Sequence, residues 1–180
     1  MWPIILIIAG AVLVLVLILV ALQPPEFTVS RSASAKAPAE AVFALVNNFQ
    51  QWEAWSPWVK MDPNMTKTYS GPEAGTGAAY AWEGNSKVGK GSMTIVESRG
   101  RESIRIRLDF EKPMKASHIA EFTFKPEGGQ TVVTWKMSGK SNFAGKAIHL
   151  FFNFDKMVGG QFEQGLAAMK ALAETPARKL

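Results

Sequence analysis

From Ile4 to Leu22 the chain carries no charged, amide or hydroxyl side chain. At about 1.5 Å of rise per residue this stretch reaches roughly 28 Å as a helix, close to the bilayer's hydrocarbon thickness of about 30 Å. A buried core helix is normally shorter and keeps a polar face. The run therefore predicts a single-pass transmembrane anchor over residues 1–23. The rival is a cleavable signal peptide, which needs a basic start, a shorter apolar region and small residues before the cut. No Lys or Arg stands before this run, and no Ala-x-Ala follows it. Gln23-Pro24-Pro25 ends the helix, because proline has no N–H to donate. Arg31 and Lys36 come next, and the positive-inside rule then leans the remaining chain towards the cytoplasm. Cysteine is absent, so no disulfide narrows the compartment.

All 20 basic and 15 acidic residues follow the anchor, for a net charge of +5. That mild excess favours anionic lipid headgroups without demanding them. The remaining length, about 155 residues, suits one domain. Its expected bounds are 26–175, with residues 24–36 forming linker and first strand and 176–180 a tail.

Glu26–Ala35 alternates as a strand. Ala37-Pro38-Ala39-Glu40 opens a helix, with proline in the first turn where its missing N–H costs nothing. Val42, Phe43, Leu45 and Val46 recur at helical spacing. An irregular, aromatic-rich connector, Phe49 to Pro63, carries Trp52, Trp55 and Trp58. Strands are then expected at Met65–Ser70, Gly77–Glu83, Gly89–Ser98, Glu102–Phe110, Ser117–Lys125 and Thr131–Ser138. Pro126-Glu127-Gly128-Gly129 joins the last two as a hairpin. Asn142 to about Ala173 reads as one long helix, with Ile148, Phe152, Asp155, Gly159, Phe162, Leu166, Met169 and Ala173 on one stripe. The fold class is α+β: a curved antiparallel sheet closed over one face by the C-terminal helix. Tyr80, Trp82, Met93, Ile95, Ile106, Leu108, Phe122, Phe124, Trp135 and Met137 would face the space between them, as cavity wall or as plain core.

The entry SRSASAKAPAEAVFALVNN, the connector WEAWSPW, the hairpin YSGPEAGTGAAYAWEGN and the ending FEQGLAAMKALAE resemble the helix-grip superfamily, also called START-like or SRPBCC. Within it they are most similar to the polyketide cyclase/dehydrase and lipid-transport branch. The resemblance covers nearly all of Glu26 to Glu174. It implies the sheet-and-helix grip and a role among binding hydrophobic ligands, carrying lipids, cyclising polyketides or acting as a co-chaperone. It supplies no fixed catalytic motif, and fold alone does not choose among these roles.

Few residues suggest chemistry on their own. His118 and His149 lack ligand-like spacing and there is no cysteine, so neither a metal nor another cofactor is expected. Gly84 to Lys90 meets GxxxxGK, but Gly91 stands where Ser or Thr should hold magnesium, and the segment lies between strands. No Gly-x-Ser-x-Gly elbow occurs. Asp155, on the helix stripe, and His118, in phase with Ala120, Phe122 and Phe124, form the one candidate catalytic pair if both enter the cavity. Otherwise Asp155 sits at the stripe's edge beside a lysine or solvent, and His118 and His149 are a sheet-face and a helix-surface histidine. Glu83 is phased to the outer face. Arg99, Arg101, Arg105 and Arg107 suggest phosphate contacts, yet Glu97, Glu102, Asp109, Glu111 and Glu121 nearby explain them as cross-strand pairs. Gly159-Gly160 weakens the helix and either loosens it or allows close packing.

The leading expectation is a membrane-anchored module that binds a hydrophobic small molecule or lipid between sheet and helix. Its candidate ligand-binding residues are Trp55, Trp58, Tyr80, Trp82, Met93, Ile106, Leu108, Phe122, Trp135, Met137, Phe152 and Asp155. A cyclase or dehydrase and a protein-interaction module are the alternatives. Nucleic acid is not an expected partner, and the oligomeric state stays open.

Overall fold

The structure, a computed structural model, describes residues 2–175, so the expected tail lies outside it. The apolar run forms helix α1, Trp2–Leu22, which buries only Val20 and leaves its other side chains largely exposed. It is long and apolar enough to cross a membrane, a test that a signal sequence also passes.

β1 (Glu26–Ala35) leads into α2 (Ala39–Asn47), which Pro38 precedes in an extended conformation. The connector is a 3-10 turn at Phe49–Gln51 and two short helices, α3 (Trp52–Trp55) and α4 (Pro57–Met61). The indoles of Trp52 and Trp55 donate to the carbonyls of Val46 and Leu45, at 3.0 and 2.9 Å. These are end-of-helix acceptors that α2 cannot satisfy itself, so the tryptophans fold the connector back onto α2.

Six more strands follow: β2 (Thr66–Ser70), β3 (Ala79–Glu83), β4 (Lys90–Arg99), β5 (Ser103–Lys112), β6 (Ala116–Glu127) and β7 (Gln130–Lys140). All pairs are antiparallel, in the order β1-β7-β6-β5-β4-β3-β2. Alternation sends Met93 and Ile95, Ile104 and Ile106, Phe122 and Phe124, and Val133 and Trp135 to one buried face. Opposite them, Arg105 and Arg107 are exposed among carboxylates.

The expected single C-terminal helix is two: α5 (Phe143–Phe151) and α6 (Phe154–Glu174). Phe152 is extended at φ −126°, and the Asn153 side chain accepts from the Lys156 N–H at 2.8 Å, capping a new helix. Apolar periodicity runs through this junction, which hid it. Gly159, Phe162, Gly165, Leu166 and Met169 form the buried stripe of α6.

α6 is held to the sheet by a charge. Arg31 shares strand phase with Val29 and Ala33, so it lies on the inner face of the edge strand. Its guanidinium donates to Asp155 at 2.8 and 3.1 Å and to Glu163 at 2.8 Å. It also donates to the carbonyls of Asp155 and Ser30, at 3.2 and 2.8 Å. Gly159 lies midway between the two acids, and a Cβ there would collide with the guanidinium. Gly160 has open space around its Cα. The paired glycines thus answer differently to alanine. Gly160→Ala should raise stability by about 1 kcal/mol through helix propensity. Gly159→Ala should forfeit that gain by displacing Arg31. Urea denaturation of both variants measures the difference.

Candidate functional site

Strand pairing lines up one row across the sheet. Tyr80 faces Met93, Met93 faces Leu108, Leu108 faces His118, and His118 and Phe27 both face Gly139. Every member but Gly139 lines a cavity of about 400 Å³ between the sheet and helices α5 and α6. Gly139 makes room for it, since a Cβ there would strike the His118 ring. Trp82, Phe110, Met137 and Trp135 extend the floor, while Ile148, Phe154, Val158 and Phe162 form the roof and Trp58 stands at the connector side. The wall is overwhelmingly apolar, and no Asp or Glu belongs to it.

Trp135 and Phe162 stack at 4.1 Å and 9°, joining sheet to helix at the inner end. Gly165 allows this approach, since a Cβ there would lie 2.9 Å from the Trp135 ring. A second depression, of about 430 Å³, lies against the β2 edge beside Glu73 and is more polar than apolar.

Two nitrogens of the main cavity's wall residues, His118 Nδ1 and Trp135 Nε1, are buried without a hydrogen-bond partner among the described residues. Buried polar atoms are nearly always paired, which makes these two the groups with unused capacity for a polar atom of a ligand. The His118 ring lies edge-on to Phe27 at 4.9 Å and tilted to Phe110 at 5.6 Å. Burial lowers its pKa, and the neighbouring His149 adds to the effect. His149 stacks on Phe154 at 4.5 Å, and burial lowers its pKa too. Four lysines, Lys87, Lys112, Lys115 and Lys140, complete the wall. All four are exposed, forming a basic rim over an apolar interior.

Of the twelve candidate ligand residues, Trp58, Tyr80, Trp82, Met93, Leu108, Trp135 and Met137 line this cavity. Trp55, Ile106 and Phe122 do not: all three are fully buried. Phe122 stacks on Trp135 at 4.8 Å and meets Trp52 and Trp55 edge-on, so the tryptophans seal it from the open end. Phe152 falls in the helix break and is 63 % exposed. Asp155 lies outside, 60 % exposed and tied to Arg31, whose hydrogen bonds lower its pKa. The Asp155–His118 pair is therefore not formed: one acid belongs to the clamp, and the histidine stands alone.

Phe27, Phe110, Ile148, His149, Phe154 and Phe162 also line the cavity. Phe27 was detectable as the inward partner of Val29 on β1, two residues on. His149 is half-buried over the cavity rather than a surface residue, because its ring stacks on Phe154 and meets Phe27 edge-on. On the outer face, Glu83 pairs with Lys90 and Lys112, and Arg99, Arg105 and Arg107 with Glu97 and Asp109. That surface is largely neutralised. No group of three metal-ligating side chains occurs among the described residues.

A family model described as polyketide cyclase / dehydrase and lipid transport matches residues 26–174. The chain belongs to that family. The polyketide cyclase/dehydrase fold recurs in solved structures. Protein CV1439 from Chromobacterium violaceum is 16% identical, with a TM-score of 0.59 over 84% of this chain and 99% of its own. The di-domain ARO/CYC BexL from the BE-7585A biosynthetic pathway is 15% identical, with a TM-score of 0.61 over 88% of this chain and 53% of its own. The Aha1 dimer from Colwellia psychrerythraea is 14% identical, with a TM-score of 0.55 over 84% and 99%. At such identities the likeness establishes the helix-grip fold alone. No curated protein matches the sequence.

The histidines give this family member a pH signature. Unfolded, each takes a proton near pH 6.5; folded, burial holds both neutral to lower pH. Between those values the unfolded chain binds more protons, so stability rises with pH. It is complete above about pH 6.5 and falls as pH drops through the folded values. Asp155, Glu53 and Glu83, all lowered by hydrogen bonds from basic partners, add a further loss at about pH 4 and below. Thermal melts across pH should show two steps, and the double variant His118→Phe/His149→Phe should lack the upper one.

Proposed function

We propose that this protein is a membrane-anchored binding module that holds a hydrophobic small molecule or lipid between its sheet and α6. The observation that carries this is the cavity itself, about 400 Å³ with an aromatic and methionine lining. Its size lies within the range of small-molecule sites, and Met93 and Met137 can repack around different ligand shapes. Of the rim lysines, Lys112 and Lys140 pair with Glu83 and Glu26. Lys87 and Lys115 have no carboxylate partner among the described residues and favour an amphiphile whose acidic end stays outside while its apolar body enters. His118 Nδ1 and Trp135 Nε1, at separate places in the wall, each have an unused hydrogen bond to offer a polar atom of a ligand. The family's lipid-transport branch and the apolar α1 point the same way. An anchored cavity stands next to the reservoir from which such a ligand partitions.

A cyclase or dehydrase reading has one observation in its favour, the unpartnered His118 nitrogen in an apolar pocket. Its pKa, lowered by burial, would make it a proton acceptor at neutral pH. It lacks a carboxylate partner, since Asp155 is bound elsewhere. Binding alone accounts for the geometry with fewer parts.

Native mass spectrometry of the full chain released from membranes should show a co-purifying acidic amphiphile. Leu108→Trp places a larger ring in the cavity and should lower its occupancy about tenfold, by the loss of apolar contact, without unfolding the domain. A domain that carries no apolar molecule, and binds no fatty acid when offered one, would end this proposal. His118→Phe separates the two readings: binding survives it, weakened by the loss of one hydrogen bond, whereas proton-transfer chemistry does not.

A further inference from the structure

Outside α1, only four large apolar side chains are more than half exposed among the described residues: Phe143, Phe151, Phe152 and Met157, at 51, 65, 63 and 54 %. All four lie on α5, the break after it and the first turn of α6. Elsewhere the domain exposes none beyond 39 %. Such a concentration marks an interaction surface.

The same segment touches α1. The Lys146 ammonium donates to the Ala21 carbonyl at 3.1 Å, satisfying an acceptor in the last turn of α1. Val20, the one buried residue of α1, lies in that turn, and helices α1 and α5 are in contact. The inner side of α5 borders the cavity through Gly145, Ile148 and His149. One short helix therefore meets the anchor, the cavity and an unpartnered apolar patch at once.

We propose that α5 and the α5–α6 junction lie in the interfacial layer of the bilayer that α1 crosses, with this patch inserted among the upper acyl chains. The inference rests on the reading of α1 as a membrane span. A spanning helix of 21 residues places its last turn at headgroup depth, and whatever packs on Val20 and Ala21 shares that depth. Lys146 and Lys156 flank the patch and meet lipid phosphates, as basic residues do in amphipathic interfacial helices. A second copy of the chain would cover the patch without using its continuity with α1. The bilayer uses both, and it opens the cavity mouth directly onto lipid.

The chain has no cysteine, so single-cysteine variants of the full protein report position cleanly. Phe151→Cys and, as a control, Val96→Cys are labelled with a nitrobenzoxadiazole probe in vesicles of phosphatidylcholine and phosphatidylglycerol. Doxyl-labelled lipid should quench the probe at position 151 and spare the one at 96. Equal quenching at both positions, none at 151, or a signal at 151 that follows protein-to-lipid ratio as a second copy would dictate, overturns the inference. So does failure of the full chain to float with vesicles, which removes the anchor as well. In parallel, Phe143→Ser/Phe151→Ser should slow transfer of a fluorescent fatty acid from vesicles about tenfold, while its equilibrium binding in detergent micelles is unchanged. An unchanged transfer rate counts against the inference. Absent binding by the parent protein counts against the cavity reading instead, and leaves the quenching result to stand by itself.

Discussion

A single arginine on the wrong face of a strand organises the contact between helix and sheet. Arg31 alternates with Val29 and Ala33 on the inner face at the open edge of the sheet, partly exposed between strand and helix. It is held there because α6 presents Asp155 and Glu163 eight residues apart, with a glycine between them where the guanidinium needs room. The three residues make sense only together. They also set the register of α6 along β1, because a shift of one residue would turn both acids away from the arginine. Planar guanidinium geometry suits this divided grip in a way that lysine's single ammonium would not.

Fixing the helix at Arg31 leaves the rest of its path to packing. Trp135 lies opposite Arg31 across the β1–β7 pair, and its stack on Phe162 continues the contact beside the clamp. Farther along the sheet, α6 reaches the row from Tyr80 to Phe27 at its Phe27 end, where the Phe154 ring lies edge-on at 5.0 Å. The helix starts only at Phe154, and the chain before it belongs to the separate helix α5. The gap is the cavity. It is apolar because each inward position of an antiparallel sheet with one buried face is apolar by alternation. His118 is the exception in its row, and nothing on α5 or α6 reaches its Nδ1. The cavity and the unpartnered nitrogen of His118 on its floor follow from where the helix breaks.

The order of elements along the chain, the inward set and the grip of helix on sheet were legible from alternation and from the family likeness; that β1 pairs with β7 was not. Seven of the cavity residues were legible for the same reason: their phase is local, and strand phase survives folding. The break at Phe152-Asn153 was not legible, because apolar spacing runs through it and a capping asparagine looks like any polar residue until its side chain turns back. The misplacement of Phe152 follows directly; Asp155 lies within α6, in phase with its buried stripe, and is held outside the cavity by Arg31. Arg31 was read as a flanking charge because nothing in the sequence links it to acids more than a hundred residues away. Trp55, Ile106 and Phe122 have the correct phase but the wrong depth, and depth depends on which rings cover them.

The position of α1 follows from pairing as well. Glu26 pairs with Lys140, so the start of β1 lies beside the end of β7. Whatever precedes β1 and whatever follows β7 must leave the sheet at the same corner. The Ser141 N–H donates to the Pro25 carbonyl at 2.6 Å, which ties that corner before either helix begins. Only Gln23, Pro24 and Pro25 separate α1 from β1, and two prolines give that connection little freedom. Helices α1 and α5 are thus neighbours by topology, whatever their side chains. The cavity row ends at this corner too, at Phe27 and Gly139. An antiparallel register of ten residues therefore brings the apolar helix and the cavity mouth together, and it does so before any contact between them is made.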